Sequence, residues 1–457
     1  MTEVQQLAQF VNKKSYQDLS KEMIAVLKAR ILDSLGCAIG ALQGEPIEKV
    51  RELIALFSDQ PLVQLIGNGK TAPDRAAFFN GALVRYLDFN DSYLAKGETC
   101  HPSDNLSAVL AGAEFADANG RQLLTALAVA YQVQCRLSDE APVRDKGFDH
   151  STQGAFAVAA GVAKALELNE EETAHALAIS GTSNIALRVS RTGELSHWKG
   201  LAYPNTAFIG THAAFLAKYG ITGPLEVFEG NKGFKALTGP FAIDWQKENL
   251  ERVTKTILKK YNAEIHSQSA IEGTLQLQVE HGFLGTDVDY VDVEIFEVAY
   301  HIIGGGEEGD KIIVETKEQA DHSLRYMLAV ALLDGQVLPE QYEPSRIKRA
   351  DVQQLLRRVH ISPNVNYSLL FPDQMPCLVK IVLKDGRIFS IYKHDYEGFF
   401  SNPFSKETLV QKFFYLTAPF ISRQGQKNVI DAVDHLDQIK VKDLTKLLST
   451  NARISHE

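Results

Sequence analysis

The chain has 457 residues, of which 45% are hydrophobic and 23% charged, and it carries a formal net charge of -10 at pH 7. That length exceeds what one hydrophobic core organises, so two or three domains are expected, with the composition of a water-soluble globular protein rather than a disordered or membrane one. No Lys/Arg block interleaved with aromatics offsets the acidic balance, which sets nucleic acid aside as a partner.

The start of the chain lacks the basic, apolar and small-residue order of a secretory signal, and no run of about 18 apolar residues occurs, so no membrane role is expected. Cys37, Cys100, Cys135 and Cys377 are scattered, with no CxxC pair. Reduced thiols in a cytoplasm fit that pattern.

From Met23 to Leu42 the apolar residues Ile24, Leu27, Ile31, Leu35, Ile39 and Leu42 recur every three or four positions, which predicts a helix whose Gly36 and Gly40 let a neighbour approach closely. The same texture returns in SAVLAGAEFA (107–116), LTALAVAYQVQC (124–135), AFAVAAGVAKAL (155–166) and AHALAISGT (174–182). These predict a tightly packed helical domain over residues 1–256.

After about Thr256 the pattern changes. VDVEIFEVAY (291–300) alternates with period two, and LVKIVLKDGRIFSIYKHD (378–395) reads as two strands joined at Asp385-Gly386. HSLRYMLAVALLDG (322–335) and SRIKRADVQQLLRRV (345–359) read as helices between them, giving a smaller α+β domain over 257–398. KETLVQKFFYLTAPF (406–420) and KNVIDAVDHLDQIKVKDLTKLL (427–448) are helical again. The expected fold is therefore mainly α: a multihelical domain built from both chain ends, with the α+β segment inserted as a lid and residues 399–457 returning to the first domain.

Three polar clusters interrupt the helices. RYLDFNDSYLAKGETCHPSDN (85–105) holds Asp88, Asp91, Ser92, Lys96, Glu98, His101, Ser103 and Asp104, and its His-Pro step does not easily stay helical. It reads either as a functional site or as a solvated connection in which Ser103 or Asp104 caps the next helix. RDKGFDHSTQG (144–154) puts Asp149-His150 before an Ala-rich helix, where ordinary N-cap chemistry competes with a role for His150. LRVSRTGELSHWKG (187–200) gathers Arg188, Arg191, His197 and Lys199, cations able to clamp carboxylates or simply to be solvated.

Lys259, Lys260 and His266 in LKKYNAEIHSQ, and His322, Arg325 and Tyr326 in DHSLRY, form two smaller groups. No HExxH and no His or Cys pair at metal spacing is present, so no metal centre is expected. GGG at 304–306 lacks the order of a nucleotide-binding loop and reads as a loop, and no G-x-S-x-G elbow occurs.

NGALVRYLDFNDSYLAKGETCHPSDN (80–105), ILDSLGCAIGAL (31–42), the Asp149-His150 helix start, the Arg188–Lys199 loop and ADHSLRYMLAVALLDG (320–335) together resemble the MmgE/PrpD family. That family includes 2-methylcitrate dehydratases, cis-aconitate decarboxylases and iminodisuccinate epimerases, and the resemblance runs over nearly the whole chain. It implies a homodimer with a metal-free, cofactor-free active site between a helical and a lid domain.

By matching motifs it implies Asp88, His101, His150 and Tyr326 as catalytic residues, and Ser92, Arg188, Lys199 and Lys259 as substrate-binding residues. Ser92 stands where many members have Thr, and Lys260 is the alternative to Lys259. The spacing of LDFND to HPSDN is similar to the dehydratase branch. The activity implied is a hydro-lyase that removes water from a hydroxy-tricarboxylate such as 2-methylcitrate, in propionate metabolism. A cis-aconitate decarboxylase-like enzyme and a non-catalytic carboxylate-binding relative are the alternatives.

In the expected mechanism His101 and His150 form the acid/base pair, with Asp88 orienting one imidazole and Tyr326 assisting the hydroxyl. Arg188, Lys199 and Lys259 would hold the carboxylate on which charge develops.

Overall fold

The computed structural model describes residues 1–57, 60–193 and 195–449. They form two units, one made of Met1–Ser190, His197–Thr256 and the chain from Ser405 onward, the other of Arg191–Ser196 and Ile257–Phe404.

The first unit is a stack of helices: α1 (Glu3–Lys13), α2 (Lys21–Gly40), α3 (Glu45–Leu56), α4 (Pro73–Tyr86), α5 (Leu106–Phe115), α6 (Gly120–Glu140), α7 (Ser151–Ala165), α8 (Glu170–Ser183), α9 (Trp198–Lys218) and the short α10 (Phe234–Thr238). Side-chain caps start several of them. Ser20 accepts from Met23 N at 3.1 Å, and the Asn169 amide oxygen accepts from Glu172 N at 2.9 Å, each satisfying a donor that the first helical turn leaves open. In α7 every residue except Lys164 is buried, so this helix has no polar face and lies in the core, against α5, α6, α8 and α9.

Two small hairpins decorate the helices, β1 (Val63–Gln64) with β2 (Lys70–Thr71) and β3 (Tyr93–Ala95) with β4 (Glu98–Cys100), both antiparallel. The second hairpin leaves no periodic signal in the sequence. Its strands are three residues each, too short for a period-two signal, and they are held by pairing Tyr93 with Cys100.

The second unit carries a four-stranded sheet in the order β6-β5-β7-β8, formed by β5 (Val288–Ile295), β6 (Val359–Pro363), β7 (Cys377–Leu383) and β8 (Ile388–Lys393). β5 runs parallel to β6 and antiparallel to β7, and the β7–β8 hairpin turns at Gly386 (φ +90°), as Asp385-Gly386 predicts. Helices α11 (Gln268–His281), α14 (Leu324–Asp334) and α16 (Ala350–Leu356) accompany it, with short turns α12 (Glu297–Ala299), α13 (Lys317–Ala320), α15 (Pro344–Ile347) and α17 (Val365–Ser368). α11 packs on β7 and β8 and against α14.

The strand expected over 291–300 stops at Ile295 and the chain becomes helical at Glu297. Ile295 pairs with Pro363, where β6 ends because proline has no N–H to extend the ladder, and Phe296 stacks on Phe371 with ring centroids 4.7 Å apart. The helix expected over 345–359 divides into α15 and α16, and Val359 already belongs to β6.

From Ser405 the chain adds α18 (Lys406–Thr417), α19 (Arg423–Asp434) and α20 (Val441–Leu447) to the first unit; residues 450–457 of the segment expected to be helical lie outside the described residues. α18 packs on α2, and a Cβ at Gly36 would lie 3.1 Å from the Phe413 ring, the close approach expected there. The single helix expected over 427–448 is broken between α19 and α20. Leu436 is fully buried there, and its carbonyl oxygen would lie 1.7 Å from a Cβ on Gly120, while Gly120 N donates to Ile439 O at 2.9 Å. Only glycine admits that backbone contact, and the helix opens to make it. Among the described residues no helix is long and apolar enough to cross a membrane.

Candidate active site

The LDFND phrase leaves α4 through Asp88, a non-glycine residue at φ +53°. Holding such a residue in the left-handed region costs on the order of 1–3 kcal/mol and persists where surrounding contacts over-determine it. Here Arg85, in the last turn of α4, donates to Asp88 Oδ1 at 2.5 Å, and Lys199 Nζ lies 3.5 Å from Asp88 Oδ2. All three residues are buried. Lys199 sits in the first turn of α9, where the helix dipole disfavours a cation, so the Asp88 carboxylate is what offsets its placement.

Asn90 and Asp91 tie this turn to the HPSDN phrase. Asn90 Nδ2 donates to Ser103 Oγ at 2.9 Å and to Asp104 Oδ1 at 2.8 Å, while Asp91 Oδ1 accepts from Ser103 N at 3.0 Å. Asp91 Oδ2 accepts from the Tyr131 hydroxyl at 2.8 Å. Burial pushes the Asp91 carboxyl up, against the pull of Arg30 and of these hydrogen bonds. Ser103 and Asp104 are therefore joints between two loops, not simple caps for α5, whose N-cap makes no side-chain bond.

His101 Nδ1 lies 2.8 Å from the backbone oxygen of Asp91 and 3.1 Å from Ser92 Oγ. A carbonyl oxygen only accepts, so Nδ1 carries the proton and the neutral ring keeps its lone pair on Nε2. The ring meets that of His150 edge-on, centroids 5.4 Å apart, and His150 stacks on Tyr203 at 5.9 Å. His150 occupies the N-cap of α7, and its Nδ1 is 3.5 Å from Asp149 Oδ2. Asp149 Oδ1 accepts from Ser151 N at 3.1 Å, so the carboxylate is fixed by the helix start.

Arg188 begins the turn after α8, with its N–H on Gly147 O at 2.9 Å. It is partly exposed, and its charge is felt by Glu98, a buried carboxyl that burial drives up while Arg188 and the amides of Val143 and Arg144 hold it down. The first unit thus brings Asp88, Ser92, His101, His150 and Lys199 into one buried network. Arg188 belongs with Glu98 at its border.

In the second unit Lys259 is 1% exposed, beside Glu264. Burial alone would raise the Glu264 carboxyl, but His266, His322 and Lys259 hold it at about 2. Glu264 Oε1 lies 2.7 Å from His266 Nδ1, and Asp321 Oδ1 lies 2.6 Å from His322 Nδ1. Lys260 points to Glu272 at 3.2 Å and Glu397 at 2.8 Å, so the adjacent lysines part ways and it is Lys259 that joins the imidazole cluster.

Tyr326 is fully buried in α14, where its hydroxyl donates to the backbone oxygen of Gln341 and burial pushes the phenol pKa up, disfavouring the phenolate. That bond places the phenol against the chain of its own unit. In the first unit Arg85, Asn90, Asp91 and Tyr131 join the buried network outside the matched motif positions; in the second unit Glu264, His266, Asp321 and His322 form their own cluster, likewise outside them. Glu264 and His266, two residues apart with the carboxylate also accepting from His266 N at 2.8 Å, are readable as a local Glu-x-His turn. Tyr131 lies mid-helix and carries no local signal.

The MmgE/PrpD N-terminal domain matches residues 5–245 and the MmgE/PrpD C-terminal domain residues 261–438. The 2-methylcitrate dehydratase of Escherichia coli (strain K12) is 28% identical over 372 residues, covering 76% of this chain and 74% of that protein. The cis-aconitate decarboxylase of Mus musculus is 26% identical over 457 residues, covering 94% of this chain and 90% of its own. A 2-methylcitrate dehydratase of Cupriavidus necator is 30% identical over 346 residues, 68% of each chain. With two domain matches in the order of the sequence and relatives aligned across most of its length, the chain belongs to the MmgE/PrpD family.

Proposed function

We propose that this protein is a lyase of the 2-methylcitrate dehydratase type, removing water from a small hydroxy-tricarboxylate with its own acid and base groups. The observation that carries this reading is the His101–His150 pair, with ring centroids 5.4 Å apart and the His101 proton on Nδ1.

Elimination takes a proton from a carbon next to a carboxylate and returns one to a leaving hydroxyl. His101 Nε2 has the lone pair for the first step. His150, supported by Asp149, is the donor for the second when protonated. Negative charge growing on the substrate carboxylate is met by Lys199, which Asp88 and the backbone of α9 hold in place, and on this reading Ser92 and Arg188 bind the remaining polar groups. Lys259, buried beside Glu264, is on this reading a further carboxylate ligand. Tyr326 is left out of the machinery.

The decarboxylase reading has its own support, since the mouse cis-aconitate decarboxylase aligns over more of this chain than the bacterial dehydratases do. In that case a histidine would protonate the carbon left by carbon dioxide.

We further infer a cytoplasmic homodimer. Ile185, Leu187, Val189 and Trp198, which flank Arg188 and Lys199 in sequence, are all exposed large apolar residues of the first unit. Light scattering after size exclusion tests this, a monomer being the contrary result.

The activity test incubates chelator-treated protein separately with 2-methylcitrate, citrate, cis-aconitate and iminodisuccinate, followed by NMR. Alkene formation from 2-methylcitrate supports the hydro-lyase. Carbon dioxide release from cis-aconitate with the hydroxy acids untouched replaces it with the decarboxylase, and binding without turnover of any of them leaves a carboxylate-binding relative.

A further inference from the structure

We propose that Lys412, on the C-terminal helix α18, is a positioning residue that fixes the protonation geometry of His101 through the backbone of the LDFND turn; this rests on the reading of His101 as a base. Lys412 is distant from the turn in sequence, and no motif match selected it.

Its ammonium contacts Asp33 and both the backbone and the ring of Phe89. Nζ lies 2.7 Å from Asp33 Oδ1 on α2, donates to the Phe89 backbone oxygen at 2.8 Å, and sits 3.7 Å from the centroid of the Phe89 ring. The Lys412 and Asp33 side chains are 8% and 0% exposed, and Phe89 is fully buried. A lysine on water-accessible surface gains little from such contacts, but here the ion pair, the carbonyl and the ring are all removed from solvent, so the ammonium is held to one place.

What it holds is the peptide between Phe89 and Asn90. On one side of that peptide stands Asp88 with its left-handed φ, on the other Asn90 and Asp91. Rotating the peptide would move the Asp91 carbonyl, which is the acceptor for His101 Nδ1 at 2.8 Å. The Asn90 side chain, anchored to Ser103 and Asp104, limits that rotation from the other side. The chain of contacts thus runs from Lys412 through the Phe89 carbonyl and the Asp91 carbonyl to the nitrogen that must carry the proton if Nε2 is to act as base. Asp33, 2.7 Å from Nζ, aims Lys412, and touches nothing else in the chain of contacts described.

Lys412→Met alone leaves the Asp33 carboxylate buried without its cation, which can unfold the protein for a trivial reason. The double variant Asp33→Asn/Lys412→Met removes both charges and is the informative one, with Lys412→Arg as the conservative control. Two readouts are needed: kcat and KM on the tricarboxylate that the wild type turns over, and the nitrogen-15 NMR pattern of the His101 ring, assigned with His101→Gln.

The expected result for the folded double variant is a kcat lower by on the order of 10- to 100-fold with KM within about threefold, as a misplaced catalytic group gives. The Nδ1-protonated signature of His101 should give way to a mixture of tautomers, and Lys412→Arg should restore most of both. A folded double variant with the wild-type tautomer overturns the inference. The NMR arm holds even if the wild type turns over none of the acids tested, so failure of the positioning role is distinguishable from failure of the dehydratase reading.

Discussion

Lys199→Met separates a carboxylate ligand from a structural ion pair. In the protein Lys199 Nζ stands 3.5 Å from Asp88 Oδ2, both side chains nearly buried. At an effective dielectric of about 20 such a pair attracts by roughly 5 kcal/mol before desolvation, and removing one member of a buried pair commonly costs about 3–5 kcal/mol.

Asp88, however, keeps the Arg85 guanidinium at 2.5 Å, so its charge is not orphaned by the substitution. Methionine also fills most of the lysine stem, and no cation is left at the start of α9. The net loss of stability should therefore be small, about 1–2 kcal/mol, or a few degrees in Tm.

If Lys199 binds the substrate carboxylate as proposed, the loss of transition-state charge stabilisation is larger. Removing one preorganised donor typically costs about 10²- to 10³-fold in rate. The assay is kcat/KM on the accepted tricarboxylate beside a thermal melt of the same preparation. A fall of about two to three orders in kcat/KM with a Tm lowered by only a few degrees is expected. A kcat/KM within about fivefold of wild type would refute the assignment of Lys199 as a carboxylate ligand.

Three further outcomes follow from the geometry. Glu264, held at about 2 against an unfolded value near 4.3, contributes up to about 3 kcal/mol that is fully present above the unfolded pKa and lost as pH falls toward 2. Glu264→Gln should accordingly lower stability at pH 7 and flatten the acid side of a denaturation curve taken between pH 6 and 2; an unchanged curve contradicts the cluster. Gly120→Ala would drive a Cβ into the Leu436 carbonyl and should cost at least about 1–3 kcal/mol, with a Tm equal to wild type the contrary result. Tyr326→Phe removes the bond to Gln341 O and should cost about 1–3 kcal/mol in a melt while leaving kcat near wild type; a large loss of kcat in a stable variant would return Tyr326 to the active machinery.

The mainly α fold was legible because apolar periodicity and small-residue texture are local properties, and the helices of the first unit follow them closely. What was not legible depends on partners remote in sequence. The break between α19 and α20 is dictated by a backbone contact with Gly120, and the end of β5 by a proline on β6. Neither leaves a mark on the segment it interrupts.

In the candidate site, Asp88, Ser92, His101, His150 and Lys199 stood in polar phrases between helices, where such residues are conspicuous. Tyr131 and Lys412 were hidden inside helical patterns that fully account for their presence. Arg85 reads as an ordinary last-turn cation until Asp88 and Asp104 are placed around it. Tyr326 shows the reverse case. A residue that motif matching selected has its hydroxyl bound to a backbone carbonyl in its own unit.

The proposed elimination from a hydroxy-tricarboxylate stands on His101 as base, with its proton on Nδ1. Its most direct test is a proton NMR time course of 2-methylcitrate with wild type and with His101→Gln, both chelator-treated and matched in Tm. The alkene product should grow with wild type, at a rate lower by at least about 10²-fold with the variant. Equal rates in the two samples would contradict it.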